Sequence, residues 1–398
     1  MGKVRINIFD LDKNKTDFLM FLNQHPELNS SEYTIIPAFI DVHVHFREPG
    51  FCYKETILTG SQAAAKGGYT TVFTMPNLKP VSDTVSHIKQ QLDIIKKNAV
   101  INVLPYGAIS INEEGKKLSP LKQTAKLVIA FSDDGKGVQD PKLMKKAMLL
   151  AKKLNKVIVA HCEDNTLIHG GYIHDGCYAR KHNHKGICSA SEYEQVKRDI
   201  KLAKETGCKY HVCHVSTKES VEAIRQAKKQ GVNITCETAP HYLILDDSML
   251  KEDGCFKINP PIRCKADKLA LIKGIQDGTI DMIATDHAPH AKEEKNKGLK
   301  DSAFGASGIE IAFPLLYTHL VKTKIITLEK LIDLLVTNPR KRFNLPKSND
   351  FTVWNLKEKD IIEPSKFISK GKNTPFKGYE VYGVNYLTVH NGKVVYKK

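Results

Sequence analysis

Short runs rich in β-branched and other apolar residues alternate along the chain with Lys-rich stretches of helical period. This alternation predicts βα units arranged around a parallel sheet. Eight such runs fall at 38–45, 70–75, 101–107, 126–132, 157–162, 210–215, 233–238 and 281–285. Eight strands close a barrel, so the expected fold class is α/β, a (β/α)8 TIM-type barrel. Between the runs, residues 83–98 carry apolar positions at a helical period, Pro141 opens a helix at a tolerated first-turn position, and Gly231 closes a helix over 220–230. Residues 287–307 break the pattern and read as a mobile surface loop; two further helices are expected at 309–323 and 328–336.

The two ends of the chain differ from its middle. Residues 1–35 and 345–398 contain alternating strand-like pieces, such as 350–355 and 387–396 around the turn Asn391-Gly392. The expected organisation is a barrel over 36–344 and a small, reduced β-rich domain built from both termini.

Composition changes this picture little. With 398 residues, 41% hydrophobic and 26% charged, the chain is of ordinary globular type, and collagen-like, disordered and disulfide-scaffold classes are excluded. The net charge of +16 invites a nucleic-acid reading, but only eight of the 60 basic residues are Arg and the lysines are spread along helix patterns rather than blocked into arms. They read as solvated helix faces, with no specific nucleic-acid partner. No stretch approaches the length of a membrane span, there is no apolar leader, and Ile6 stands where a myristoylation motif wants Ser or Thr. The expected location is cytoplasmic. Nine cysteines without a Cys-x-x-Cys pair argue against both a disulfide framework and a thiolate zinc site.

Candidate chemistry lies in where the histidines and aspartates fall. His43 and His45 end the first run, Asp134 follows the fourth, His161 and His214 lie on the fifth and sixth, and Asp286 follows the eighth. In a barrel of this type the C-terminal strand ends converge on one mouth. Strand alternation sends positions 43 and 45 to the same face, here the interior. A lone strand histidine is ordinarily a satisfied core residue, but two at i and i+2, joined by four more metal-type residues at strand ends, point to a metal centre. Nitrogen and oxygen donors without thiolate suit a catalytic ion with open positions, and Zn2+ leads among the candidates.

Asp41-Val42-His43-Val44-His45-Phe46-Arg47-Glu48-Pro49-Gly50 and Ala284-Thr285-Asp286-His287-Ala288-Pro289-His290 resemble the amidohydrolase superfamily, and within it the dihydroorotases. Met75-Pro76-Asn77, Ala160-His161-Cys162-Glu163, Cys213-His214-Val215-Ser216 and Phe256-Lys257-Ile258-Asn259-Pro260-Pro261 extend the resemblance in order, and Phe131-Ser132-Asp133-Asp134-Gly135 is similar to the bacterial class I form. The resemblance implies two zinc ions per subunit, one held by His43, His45 and Asp286 and the other by His161 and His214, with Asp134 and a hydroxide between them. Many relatives place a carboxylated Lys on the fourth strand; here Asp134 takes that position, and its neighbour Asp133 reads as a turn or supporting carboxylate.

The activity implied is the reversible hydrolysis of (S)-dihydroorotate to N-carbamoyl-L-aspartate, the third step of de novo pyrimidine biosynthesis, with the metal-bridging hydroxide as nucleophile and Asp286 as catalytic proton shuttle. Arg47, facing the same way as His43 and His45 by strand period, would bind the substrate carboxylate. Asn77 and His290 would assist, His45 would border the substrate, and Asn259 with backbone groups of Phe304 and Gly305 would read the ring. A homodimer and an association with aspartate carbamoyltransferase are implied as partners. Two other readings are another cyclic amidase, a hydantoinase or allantoinase, and a catalytically silent scaffold for aspartate carbamoyltransferase. Arg47 and Asn77 favour an acidic substrate over the first, and the filled ligand positions disfavour the second. His169, His174, His182 and His184 read as exposed loop residues, His211 as facing the surrounding helices, and His241 as lying near the mouth.

Overall fold

The computed structural model describes residues 32–398, and the predicted run–helix alternation is present in it. Strand β1 (Thr34–Pro37) leads into β2 (Phe39–Val44), which pairs in parallel with β3 (Tyr69–Thr74), and β3 in turn with β4 (Asn102–Pro105). A second parallel sheet is formed by β5 (Gly107–Ala108), β6 (Phe131–Ser132), β7 (Val157–Ala160), β10 (Lys209–Val212), β11 (Ile234–Thr238) and β12 (Met282–Ile283), in that spatial order. Between β7 and β10 a small pair, β8 (Ile173–His174) and β9 (Gly186–Ile187), stands apart from the sheets.

The two parallel sheets adjoin at both edges. Tyr106 alone separates β4 from β5, and its N–H donates to Thr74 O on β3 at 2.9 Å. At the other side His287, just past β12, makes a parallel bridge to Val44 and accepts from His45 N–H at 2.9 Å. Asp41 reinforces this seam: its carboxylate accepts from the Thr285 backbone N–H at 3.2 Å and from the Thr285 hydroxyl at 2.5 Å.

Local sequence explains the helices between strands. Thr56 forms a capping box with Thr59 on helix Ile57–Lys66, Thr84 caps Val85–Asn98, Asp140 precedes Pro141 on Pro141–Lys153, and Thr217 caps Lys218–Lys229. The side-chain oxygen at each cap satisfies an N–H that the first turn leaves without a partner. The helices expected near 309–323 and 328–336 form, as Ala312–Leu316 and Leu328–Ile332, each continued by a turn of π-helix.

The C-terminal segment forms an antiparallel sheet in the order β1, β13 (Phe351–Ile361), β14 (Glu380–His390), β15 (Lys393–Lys397). The turn Asn391-Gly392 has φ of 48° and 73°, the double left-handed form that suits the twist of a two-residue hairpin. Phe39 of β2 and Trp354 of β13 clamp Phe313, with ring centroids 4.9 and 4.4 Å from it, so the small sheet is fixed to the parallel one by buried aromatic area. The strand-like pieces expected in residues 1–31 lie outside the described residues.

Three expectations need correction. Residues 287–307 are packed rather than splayed over the surface: they contain helical turns Lys292–Lys295 and Gly298–Asp301, and Lys295, Leu299 and Ser302 are buried. His211 is turned to the inner side, where it meets Glu237 and the ring of Phe343, because the apolar residue on the opposite face is Tyr210, whose hydroxyl donates to Asp199 on helix Ala190–Thr206. His174 is buried beside Arg263 and His184 is half-buried between Tyr172 and Glu252, rather than exposed, whereas His169 and His182 are exposed as expected.

Candidate active site

The strand ends deliver the predicted residues to one place, though strict alternation does not explain how. Ile40 and Val42 both belong to the inner apolar cluster, so continued alternation would turn His43 away from it. The pairing of β2 with β3 shifts register between Asp41 and Val44, and this irregularity lets His43 face Glu237 on β11 and the ring of His214. Arg47, His214 and Asp286 have φ of 57°, 29° and 48°. For residues other than glycine such backbone costs about 1–3 kcal/mol each, and here it turns three chemically active side chains inward at once.

Asp134 lies at the centre of the cluster. Its Oδ1 is 3.4 Å from His43 Nε2, 3.8 Å from His161 Nδ1 and 3.7 Å from His214 Nε2, and its Oδ2 is 3.5 Å from His45 Nε2. Asp286 Oδ1 is 3.4 Å from His43 Nε2 and 3.1 Å from His45 Nε2. The sets His43–His45–Asp286 and His43–Asp134–His214 are each compact enough to share one ion, and His161 Nδ1 lies 2.9 Å from His214 Nε2. Burial alone would raise the pKa of Asp134 and of Asp286, but the imidazoles around them outweigh it and hold both carboxyls below their ordinary value.

Three residues support the histidines, and two of them, Glu237 and Glu163, were given no role from sequence. Glu237 Oε1 accepts from His43 Nδ1–H at 2.8 Å and its Oε2 from His211 Nε2–H at 3.0 Å. Burial pushes Glu237 up, yet these two hydrogen bonds prevail and bring its pKa down to about 2. A carboxylate on one ring nitrogen fixes the tautomer and leaves the other nitrogen as a donor of electrons to a metal. Asn77 does the same for His45, accepting from its Nδ1–H at 3.0 Å, while its amide approaches Asp134 Oδ2 at 3.4 Å. Glu163 Oε2 sits 3.5 Å from His161 Nε2 and accepts from Asn259 Nδ2 at 3.2 Å. The only signal for Glu237 was a carboxylate inside a strand with no other charged residue, Ile234–Thr238; Asp41 carried a similar signal.

Asp133 points elsewhere. Its Oδ1 accepts from the backbone N–H groups of Ile109 and Ser110 at 2.7 and 3.0 Å, so it fastens the chain after β5. His241 is buried near the site, and burial lowers its pKa to about 4.

Beside the cluster opens a cavity of about 160 Å³. Every residue named from sequence for metal or substrate lines it except His43 and His290. Burial lowers the pKa of Arg47 to about 10, which leaves a cation at neutral pH, and its Nε–H donates to Pro289 O at 3.2 Å. His290 stands behind Arg47, with Nε2 3.3 Å from the Arg47 terminal nitrogen and 2.7 Å from Phe304 O. Burial, then the charges of Arg47 and Lys54, lower the His290 pKa to about 3, so its ring is neutral. The backbone groups expected to read a ring are engaged within the chain: Gly305 N–H donates to Lys257 O at 3.0 Å, and Phe304 O accepts from His290.

The donor set fits metal ions. His43 Nε2, Asp134 Oδ1 and His161 Nε2 are buried without a hydrogen-bond partner, and nitrogen lone pairs directed at carboxylate oxygens need a cation between them. A parallel α/β sheet that gathers imidazoles and carboxylates at its strand ends, beside a small cavity, defines a metal-binding hydrolase.

A family model described as Dihydro-orotase-like matches residues 33–220. Dihydroorotase from Fusobacterium nucleatum is 52% identical over 370 residues, covering 91% of this chain and 87% of that protein. Dihydroorotase from Bacillus thuringiensis is 49% identical over 373 residues, covering 92% and 87% respectively. Among solved structures, L-hydantoinase (dihydropyrimidinase) from Arthrobacter aurescens aligns with a TM-score of 0.82 at 25% identity over 92% of this chain and 86% of that one. Dihydropyrimidinase from Brevibacillus agri shares the fold with a TM-score of 0.80 at 21% identity, over 92% and 86%. The chain belongs to the dihydroorotase family, within the amidohydrolase superfamily of hydrolases.

Proposed function

We propose that the chain hydrolyses the cyclic amide of (S)-dihydroorotate to N-carbamoyl-L-aspartate and closes the ring in reverse, as a step of pyrimidine biosynthesis. The observation that carries this reading is Arg47: a half-buried guanidinium lining the same cavity as His45, Asp134 and Asp286 matches a substrate that is both a cyclic amide and a carboxylate anion. The identity to named dihydroorotases over most of the chain supports it. On the same reading the two parallel sheets, adjoining at both edges, form one closed eight-stranded barrel over 36–344, in which β4 and β5 are one strand interrupted at Tyr106, with β1 and residues 345–398 supplying the small β-rich domain.

His43, His45 and Asp286 would hold one divalent ion and His161 and His214 a second, with Asp134 shared; both are proposed to be zinc. When bound, such ions lower the pKa of water and polarise a carbonyl. Glu237 and Asn77 hold the two imidazoles of β2 in the required tautomer. Arg47, backed by neutral His290, binds the substrate carboxylate and so fixes which ring carbonyl faces Asp286. Asp286, kept ionised by the surrounding imidazoles, accepts at Oδ1 the proton of the attacking water and returns it to the ring nitrogen as the C–N bond breaks. Asn259, anchored by Glu163 with its own Oδ1 buried and unpartnered, would accept a ring N–H.

A hydantoinase is the second reading, favoured by the likeness to L-hydantoinase. Purified protein assayed with dihydroorotate and with hydantoin decides between them: turnover of dihydroorotate is expected, and turnover of hydantoin alone would overturn the proposal. Two equivalents of zinc by elemental analysis are expected, whereas a chain that binds no metal would support the silent scaffold for aspartate carbamoyltransferase. A cytoplasmic homodimer is proposed; among the described residues no helix is long and apolar enough to cross a membrane.

A further inference from the structure

Lys295 is a buried amine that none of the chemistry above uses. It ends the short helix Lys292–Lys295 and is 5% exposed. Its Nζ donates to three backbone carbonyls: Ala303 O at 2.7 Å, Gly305 O at 2.7 Å and Lys257 O at 3.2 Å. An ammonium carries three N–H bonds, so every one is engaged. Two of the acceptors flank Phe304 in sequence. The third, Lys257, also accepts from Gly305 N–H at 3.0 Å and lays its own ammonium 4.5 Å from the Phe304 ring centroid.

Three segments of chain therefore meet on one amine. Ala303 N–H donates to Glu294 O and Ser302 Oγ to Lys295 O, both at 2.8 Å, which ties the far side of the loop to the helix that carries Lys295. Gly254 approaches so closely that a Cβ there would lie 2.2 Å from Lys295 O, so the segment before Lys257 is packed directly against the same turn. Burying an ammonium is costly unless its hydrogen bonds are complete. Burial lowers the Lys295 pKa to about 8; Cys255, Asp253 and Glu294 act in its favour and Lys257 against it. A solvated loop tip would not need a buried charge; one that must be held at a fixed height beside a cavity does.

We propose that Lys295 is a positioning residue for substrate, its ammonium holding Phe304 and Gly305 at the rim of the cavity in the geometry that contacts the substrate ring. This rests on the reading of that cavity as the dihydroorotate site. The role differs from that of a general stabiliser, because the three carbonyls lie on segments bordering the cavity and on none of the sheet strands. The loop would contact the ring in ground and transition states alike, so its loosening should act on KM more than on kcat.

The test compares wild type with Lys295→Met and Lys295→Arg as purified, metal-loaded enzymes, by hydrogen exchange without substrate and by kinetics with dihydroorotate. In K295M, amide exchange over 302–306 should quicken by about tenfold or more while the strands keep their protection. KM should rise about tenfold with kcat within about threefold. K295R keeps the charge, but its planar fork cannot aim three N–H bonds at three converging carbonyls, and should fall between. Unchanged exchange over 302–306 in both variants, or a loss confined to kcat, would overturn the proposal. If K295M does not fold, K295R alone carries the same two readouts. If the wild type fails to turn over dihydroorotate, the functional reading falls while the exchange measurement still judges the loop.

Discussion

Replacing Glu237 by Gln tests whether the site is built from the second layer outward. Glu237 is 1% exposed and takes hydrogen bonds from His43 at 2.8 Å and His211 at 3.0 Å. The amide is isosteric but presents one oxygen and one NH2 group, so one imidazole N–H must face a donor and the charge is lost from both bonds. Hydrogen bonds to a charged group contribute about 1.5–3 kcal/mol each, which sets the loss at roughly 2–4 kcal/mol. The lowered pKa gives an independent figure. Glu237 falls from an ordinary 4.5 to about 2, and at about 1.4 kcal/mol per pH unit this corresponds to roughly 3.5 kcal/mol. Because the folded-state value is the lower one, that stability is fully present above about pH 4.5 and is lost as pH falls towards 2. The variant should therefore unfold at lower urea concentration at pH 7, and its difference from wild type should shrink in acid. Metal affinity, measured by competition with a chelator, should drop about 10- to 100-fold as the His43 tautomer is freed. Metal affinity and unfolding midpoint both equal to wild type would refute the argument that Glu237 orients His43.

The other predictions address separate links. Asp134→Ala should abolish or severely weaken metal binding, whereas Asp133→Ala, which strips the Ile109 and Ser110 N–H groups of their acceptor, should cost about 1–3 kcal/mol of stability with metal retained; equal metal loss in both would sink the distinction. Arg47→Met should raise the KM for dihydroorotate by about 100-fold, read from initial rates, and near-normal KM would remove Arg47 from the substrate. Chelation should end activity and lower the melting temperature, with both restored by zinc; activity that survives complete metal removal would refute the metal reading. Trp354→Ala should cost about 3–5 kcal/mol in urea unfolding, since the ring is 1% exposed against Phe313 and Phe39; a small loss would mean the C-terminal sheet is not clamped there.

How much of this was legible in sequence follows from what periodicity encodes. Each of the eight runs contains a strand, because burial on both faces of a parallel sheet demands continuous apolar stretches that read plainly. Their lengths were less legible: β6 shrinks to Phe131–Ser132 and β12 to Met282–Ile283, and before β6 residues 125–127 continue as a turn from the helix Leu121–Thr124 rather than extending. The Asn391-Gly392 turn was read correctly because two left-handed residues in succession admit few sequences. Residues 287–307 were misread because a Lys- and Glu-rich stretch looks solvated, and no local pattern announces that Lys295 will bury its charge on three carbonyls.

The candidate site was legible in a different way, through residue type at strand ends rather than through alternation. Alternation itself pointed two ways: it places 43 and 45 together, but it also places 40 and 42 together, and the structure puts Ile40 and Val42 in the inner cluster. Both hold only because the register shifts between Asp41 and Val44. The same departure from regular backbone recurs at Arg47, His214 and Asp286. Positive φ in three residues that gain nothing from it locally implies that the strain is repaid by the surrounding contacts, Asp41 to Thr285 and Glu237 to His43 among them. Those two buried carboxylates are the residues to which composition and motif spacing gave no role, and they are where the fold is converted into a site. Removing either should misplace the ligands, so metal affinity should fall together with stability, whereas a strand-pairing defect remote from the site would lower stability alone.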